Sequence, residues 1–331
     1  MPSLKRVANS VVLPTVSVVV LNWNGKRFID PFMKSLAAQT YPRERVELLF
    51  TDNGSTDDSV EYFNMHYGDN PGNKVVLNGA NYGYAGGNNL GMLQASGEYV
   101  LICNNDLELK EDAIEQLVGT AQRHQADVTS AKLMYLNRPG VINNAGSRLD
   151  TTSDWPIHEI GINEEDHGQY EDDREITAFC GACILVRRDF LQTIGMFDKR
   201  FFLYFEDGDL SWRGQKAGKK FYYAAKAIAY HVHTGSSKEG SPTFNHYVGR
   251  NRLLILTKNG KLKPLAKAWA KTIRDQFLLR VKRLILAIRG KYPKRLALRE
   301  FWLSQKMIWA AIVWTPYALG KRYHVIKEDH L

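Results

Sequence analysis

The sequence predicts an α/β protein built on a mostly parallel sheet and followed by a basic helical extension. Three observations carry this reading. Apolar runs of strand length alternate with stretches of helix length through the first hundred residues; Asn and Asp residues follow directly on several of those runs; and the charge changes sign near Lys258.

The first run, Val16-Ser-Val-Val-Val-Leu21, is apolar throughout, as a strand covered on both faces requires. A helix is expected over 28–38, a strand over 46–50, and a helix over 57–67 with Ser55 or Thr56 near its cap. Strands over 74–77 and 99–103 flank a helix over 86–95, which completes the parallel pattern with crossover helices. Beyond Asp106 come a helix (112–124), a strand (128–135) and a polar, loop-rich stretch (137–174) of the kind that forms lids and binding loops. A strand over 184–187, a helix over 206–218 ending at a Gly cap, and a strand over 220–230 follow. A division at 257/258 is expected, with one part over 14–106, a second over 107–257 and a helical extension over 258–331.

Composition narrows the class. A chain of 331 residues with 44% apolar content can bury a sizeable core. Cys103, Cys180 and Cys183 make no disulfide framework, which points to a reducing compartment. Cys180 and Cys183 have CxxC spacing, but the adjoining run Ile184-Leu185-Val186 favours small buried strand residues over a redox or zinc site. Val16–Leu21 is too short for a signal core. The apolar stretch from Met307 to Leu319 contains Pro316 and falls short of the roughly 18 residues a spanning helix needs.

Residues 258–331 carry 18 Lys and Arg against 4 Asp and Glu, whereas residues 1–257 carry 26 against 31. A mildly acidic body with a basic tail calls for an anionic partner surface. No recognition motif accompanies the charge, so nucleic acid is not the expected partner. In the tail, Lys267, Lys271, Arg274, Arg280, Lys282 and Arg283 interleave with Leu265, Trp269, Ile273, Phe277, Leu278 and Leu284, and Trp302, Trp309, Trp314 and Tyr317 follow. That pattern suits amphipathic helices on an anionic membrane. The competing reading is a helical hairpin packed on the main domain or on a second copy in a homo-oligomer.

Four segments can carry chemistry. Asp52, in Thr51-Asp-Asn-Gly-Ser-Thr-Asp57, sits where ligands bind in open α/β sheets; the same residues also suit a turn and helix cap. Asp106 closes Cys103-Asn-Asn-Asp106, again at a strand end, and could hold Mg²⁺ or Mn²⁺ against a diphosphate. Glu206-Asp-Gly-Asp209 is flanked by Phe201, Phe202, Tyr204 and Phe205. An apolar surrounding raises a carboxylate's proton affinity and suits a general base, while an acidic helix start is the plainer account. His231 and His233 alternate at a strand end, so at most one enters a given site. The Gly-rich stretch Gly83–Asn89 lacks the G-x-G-x-x-G spacing, which disfavours a nicotinamide oxidoreductase, yet it can offer amides to phosphate.

In series, VSVVVLNWNG, QTYP, TDNGSTDDS, NYGYAGGNNLG, NNDLEL, GACILVRR, FFLYFEDGDLSWR and AYHVHTGSS resemble glycosyltransferase family 2, in particular its rhamnosyltransferase-like members. The resemblance runs from Val16 to Ser237 and implies that 1–257 is the catalytic domain, with 14–106 its nucleotide-binding part and 107–257 its acceptor part. It implies a GT-A (nucleotide-diphospho-sugar transferase) fold with a Rossmann-like, mostly parallel sheet, a nucleotide diphosphate-sugar donor (rhamnose or another hexose), and an inverting mechanism. It further implies a glycan or lipid-linked acceptor and cell-surface polysaccharide or glycolipid synthesis; the cysteines and the basic tail, not the resemblance, lead us to expect a cytoplasmic enzyme peripheral at the inner face of the membrane. Carried over by position, Asn22, Asp52, Asn81, Gly87, Asn88, Asn105 and Asp106 surround the nucleotide sugar. Asn104-Asn105-Asp106 stands in place of an Asp-x-Asp metal motif, which leaves Asp106 as the main acidic ligand and His231 as a further one ahead of His233. Asp207 is implied as the base, with Glu206 and Trp212 toward the acceptor. A nucleotidyltransferase is the alternative enzyme, although Leu21-Asn-Trp-Asn-Gly25 is followed only by Lys26 and Arg27. A non-catalytic nucleotide-sugar-binding protein is disfavoured by intact acids at 106 and 207.

Overall fold

The computed structural model describes residues 13–232, 240–291 and 293–322. The first hundred residues alternate as expected: β1 (Val16–Asn22), α1 (Lys26–Ala37), β2 (Val46–Asp52), α2 (Ser59–Tyr67), β3 (Asn73–Leu77), α3 (Gly83–Met92) and β4 (Tyr99–Asn104). Strands β3, β2, β1 and β4 lie side by side and all pair in parallel. Neither Ser55 nor Thr56 caps α2: Asp58 precedes it, and Ser55 turns back onto Asp52.

The second half continues as β5 (Leu107–Leu109), α4 (Ala113–His124), β6 (Val128–Tyr135), β7 (Ile142–Asn144), β8 (Ser147–Leu149), β9 (Ile157–Glu159), β10 (Arg174–Ile176), β11 (Cys183–Arg187), α5 (Arg188–Ile194), α6 (Glu206–Lys216) and β12 (Phe221–His231). The sheet order is β10-β12-β6-β11-β4-β1-β2-β3, with β5 on β12 and β7 on β6. Here pairing is mixed: β11 runs antiparallel between β4 and β6, and β12 runs parallel to β6. The stretch read as irregular carries the short strands β7, β8 and β9 and leads into β10.

Helices cover both faces, which explains the unbroken apolar run of β1. Val16, Val18 and Val20 join Phe32 and Leu36 of α1 and Leu117 of α4, while Val19 turns to Met92 of α3 and Phe190 of α5. Lys132 is a polar exception within β6. It is 1% exposed, and its ammonium is met by Asp166 at 2.7 Å and Glu171 at 2.8 Å.

Three further helices, α7 (Pro242–Asn259), α8 (Leu262–Ile288) and α9 (Lys294–Gly320), form a bundle against α6. Residues 250–258 of α7 are buried on every side, and Leu253, Leu254, Ile255 and Leu256 share a core with Trp212, Ala268 and Ala311. The 257/258 division therefore falls in the last turn of α7, a helix that belongs to both the α6 face and the bundle.

Candidate functional site

Register sets the strand ends level. Asn22 stands opposite Asp52, and Leu21 opposite Asn104, so β1, β2 and β4 finish on one shelf at their carboxyl ends. In open α/β sheets that shelf is where ligands bind. Asn22 Nδ2 donates to Asp52 Oδ1 at 3.2 Å, and Asn105 Nδ2 donates to Asn22 Oδ1 at 3.0 Å, so one amide ties β2 to the β4 turn. Asp52 is 4% exposed. Its Oδ2 accepts the amides of Gly54 (3.1 Å) and Ser55 (2.9 Å), and its Oδ1 accepts the Ser55 hydroxyl as well as Asn22. Four donors occupy the four acceptor sites of a carboxylate. Asp52 thus shapes the turn at the shelf.

Two residues expected around the nucleotide sugar face inward instead. A Cβ on Gly87 would lie 2.7 Å from Leu21 Cδ1 and 2.9 Å from Asn53 Cγ, so this glycine is what lets α3 approach the sheet. Asn88 is fully buried and its Nδ2 donates to the Tyr84 carbonyl at 2.9 Å. Spacing along a Gly-rich segment does not reveal which helix face is pressed to the sheet. Asn81 remains exposed, and its Oδ1 accepts the Gly83 amide at 2.8 Å and Asn53 Nδ2 at 3.1 Å.

Asp106 and His231 meet at the end of the same shelf, because β5 and the end of β12 pair next to the β4 turn. His231 Nε2 lies 3.2 Å from Asp106 Oδ1, and the Val232 amide donates to the Asp106 carbonyl at 3.1 Å. Nδ1 lies 2.8 Å from Asn143 Oδ1, and Nε2 also lies 3.4 Å from Asn104 Nδ2. Asn104 Oδ1 is buried without a hydrogen-bond partner beside them. These donors fit a divalent cation that completes its shell with phosphate oxygens and water, as Mg²⁺ sites commonly do. Among the described residues no group of three or more His, Cys, Asp or Glu forms a metal cage. His233 and the segment through Ser237 lie outside the described residues.

The acidic cluster separates into different roles. Asp207 occupies the first turn of α6. Its Oδ2 accepts the Gly181 amide at 2.9 Å and its Oδ1 the Gly208 amide at 2.7 Å, while the residue stays partly exposed. Burial pushes its proton affinity up against those two amides. Glu206 is 5% exposed with Oε2 unpartnered, and burial together with the Asp207 charge drives its carboxyl far above the usual range. Asp209 is structural: it is fully buried and held by Arg213 Nε (2.9 Å), Lys258 Nζ (2.9 Å) and Asn259 Nδ2 (2.7 Å). Trp212, expected toward the acceptor, is 3% exposed and packs with Phe201 and Leu253, because its face of α6 looks into the bundle.

The two ends of the site share backbone. Gly181, which holds Asp207, precedes Ala182, whose carbonyl accepts the Asn104 amide at 2.9 Å, and Cys183 pairs with Cys103. The CxxC segment is therefore a strap between the base-like acid and the β4 turn. Cys180 and Cys183 are free thiols, half-buried and buried, with affinities for the proton raised by burial. Sequence reasoning missed Gly181 and Asn143, since nothing local distinguishes either. It also missed Arg250 and Asn251 of α7, which hold the carbonyls of Arg200, Phe201, Leu203 and Tyr204.

Comparison with known proteins agrees with this arrangement. The model of glycosyl transferase family 2 matches residues 17–195, more than half of the chain. The chain is 22% identical over 251 residues to the low-salt glycan biosynthesis hexosyltransferase Agl10 of Haloferax volcanii, covering 73% of this chain and 76% of that one. It is 27% identical over 241 residues to the N-acetylglucosaminyl-diphospho-decaprenol L-rhamnosyltransferase of Mycobacterium tuberculosis, covering 66% and 76%. The mannosyltransferase PcManGT from Pyrobaculum calidifontis, solved with GDP-Man and Mn²⁺, superposes with a TM-score of 0.55 at 17% identity over 93% of this chain and 88% of that one. Other matches are longer: the chain spans 18% of the O-antigen biosynthesis protein RfbC of Myxococcus xanthus and 48% of a GalNAc-T7 chain.

Proposed function

The chain belongs to glycosyl transferase family 2 and has its GT-A fold, and from that premise we propose that it transfers a hexose, rhamnose among the candidates, from a nucleotide diphosphate-sugar to an acceptor hydroxyl with inversion. The observation that carries the proposal is that two unlike groups are joined at the carboxyl end of β4, in mid-sheet. One is a cation-ready pair, Asp106 with His231, and the other an amide-held carboxylate, Asp207, joined to it through Gly181-Ala182 and Asn104.

The donor's diphosphate lies toward Asp106 and its nucleoside over the turns at Asn22, Asp52 and Asn81. A divalent metal bound at Asp106 and His231 would supply positive charge for the departing diphosphate; Mn²⁺ in the PcManGT complex supports this choice of ion. Asp207 takes the proton of the acceptor hydroxyl. The Gly181 and Gly208 amides use two of its acceptor sites and leave the others for that hydroxyl. Glu206 is buried with Oε2 unpartnered, whereas Asp207 is partly exposed and held by two amides that favour its charged form, so Asp207 is the member of the pair suited to take a proton. A single carboxylate behind the sugar suits one-step displacement.

The relatives' names place them in glycan synthesis, one on a lipid-diphosphate acceptor. A lipid-linked acceptor for this chain fits the outer face of the bundle. Phe277 (61%), Trp302 (68%) and Trp309 (66%) are exposed on α8 and α9, and α8 also exposes Lys282, whereas Lys267 is drawn to Asp154 at 3.0 Å. No described helix is long and apolar enough to cross a membrane. Docking on an anionic leaflet is the reading we favour, with each nearby Lys or Arg contributing about 1 kcal/mol.

The test is Asp207→Asn. Transfer should fall by about 10²–10⁴-fold, the usual worth of a general base. Donor affinity should hold, measured on whichever of the UDP, GDP and dTDP sugars raises the melting temperature of the unaltered chain. Turnover above about a tenth of the unaltered value would remove Asp207 from the role.

A further inference from the structure

The segment that delivers Asp207 is strained, and something outside the sheet holds it. Phe202, Tyr204 and Phe205 all adopt positive φ (64°, 68° and 68°), a region bulky L-residues avoid, and Glu206 and Asp207 follow at once. Such conformations persist only where the surroundings over-determine them. The surroundings here are two adjacent residues of α7. Asn251, fully buried, aims Nδ2 at the carbonyls of Phe201 (2.8 Å), Leu203 (2.8 Å) and Tyr204 (2.7 Å). Arg250 Nη2 donates to the carbonyls of Arg200 and Phe201, both at 2.7 Å, and its Nε is fixed by Asn251 Oδ1 at 2.7 Å.

The far side of the segment is pinned to the donor shelf. The Phe202 carbonyl accepts the Ala85 amide of α3 at 3.2 Å, and a Cβ on Gly83 would lie 2.3 Å from that same carbonyl oxygen. The Phe202 ring stacks on Tyr247 of α7, with centroids 5.1 Å apart and planes at 16°. The loop is thus gripped between the start of α3 and the middle of α7, and α6 begins from it.

We propose that Arg250 and Asn251 are positioning residues for Asp207, clamping the 201–205 loop so that the first turn of α6 presents its carboxylate to the acceptor. The inference rests on Asp207 being the base. Neither residue touches the reacting atoms; both act through the loop backbone. Both lie in α7, beyond the 17–195 family match, so the clamp also explains why this helix is buried in the catalytic body.

The experiment uses the full chain with Asn251→Ala, Arg250→Ala and Arg250→Lys. Amide hydrogen exchange should quicken in peptides covering 200–208 and stay unchanged in β1, β2 and β4. Turnover of the donor found by the thermal screen should fall by about a hundredfold in the alanine variants, the scale of a misplacement near 1 Å. Binding of the matching nucleoside diphosphate with Mn²⁺ should stay within about twofold, since uniform binding is not what is lost. Arg250→Lys, which keeps a cationic donor group for the loop carbonyls but loses the Nε bond to Asn251, should recover part of the rate. Faster exchange throughout the sheet, or unchanged exchange over 200–208, would overturn the clamp. So would a higher donor KM at undiminished kcat. Failure of the unaltered chain to turn over any sugar nucleotide would instead strike at the reading of Asp207, with the exchange pattern still deciding whether α7 holds the loop.

Discussion

Replacing Lys258 with Met tests whether the C-terminal bundle is part of the catalytic body. Lys258 is 1% exposed, and its ammonium bridges Asp198 Oδ2 at 2.7 Å and Asp209 Oδ2 at 2.9 Å, both fully buried. Methionine keeps the stem's packing and deletes the charge. Asp209 would retain Arg213 and Asn259, while Asp198 would keep the Tyr317 hydroxyl (2.9 Å) and the Arg200 amide (3.1 Å) but lose its ammonium. Breaking a buried pair from one side costs about 3–5 kcal/mol, and the guanidinium left on Asp209 puts the expectation near the lower end. Against a total of about 5–15 kcal/mol that is a large share. Urea unfolding at neutral pH should show the midpoint falling with the slope unchanged. The acid side offers a check of sign. Burial works against ionisation of Asp209, yet Lys258 and Arg213 together hold its carboxyl below the ordinary range. The stability this supplies is present above the unfolded value and is lost as pH falls through the folded one. The variant should therefore show a shallower loss of stability on acidification. A loss below about 1 kcal/mol would mean that the bridge is dispensable and that the bundle docks by apolar contact alone.

Other outcomes follow from the same geometry. Asp106→Ala should abolish the gain in nucleoside diphosphate affinity on adding Mn²⁺, as read by calorimetry; an undiminished gain would take Asp106 out of the cation site. Glu206→Gln should stabilise the fold at neutral pH. A raised carboxyl supports the fold below the ordinary glutamate range and loses that support as pH rises through the folded value, so the amide should flatten the curve there; a lower melting temperature at pH 7 would contradict the assignment. Replacing Trp302 and Trp309 together with Ser should weaken sedimentation with anionic vesicles while leaving urea unfolding within about 0.5 kcal/mol, as exposed substitutions do. Unchanged sedimentation would remove these rings from the membrane face.

Much of this was legible in the sequence because it is local or periodic. The β1 run announces a strand covered on both faces, and Asp52 and Asp106 follow their strands at the positions register then sets on one shelf. What escaped depends on which face of an element meets which neighbour. Gly87, Asn88 and Trp212 have the residue types of a binding site, but α3 and α6 turn them inward. In the tail, Trp302 and Trp309 point outward, whereas Trp314 packs into the bundle core and Tyr317 reaches Asp198. The expected amphipathic stripe is thus split between an inner and an outer face. Arg280, Arg283 and Leu284 belong to that stripe, and their side chains lie outside the described residues. The charge step at Lys258 marked a change of surface, not of body: Lys258 itself is buried between two aspartates.

The sheet and the bundle contribute unequally to the two halves of the site. Asn22 and Asp52 are placed by strand register, which is costly to disturb because a slip would turn every side chain to the other face, and Asp106 by the turn that follows β4. Asp207 is placed by a loop of three left-handed aromatics, a geometry with no support from a ladder, so its support has to come from side-chain donors. Asn251 and Arg250 can supply them only because α7 is buried against α6, and α7 stays buried only while α8 and α9 cover it. A chain cut at the charge boundary would expose Leu253, Leu256 and Trp212 and would free the loop before Asp207. Loss of membrane binding by such a truncation would therefore say nothing about the outer face, whereas Trp302 and Trp309 can be changed without touching the clamp.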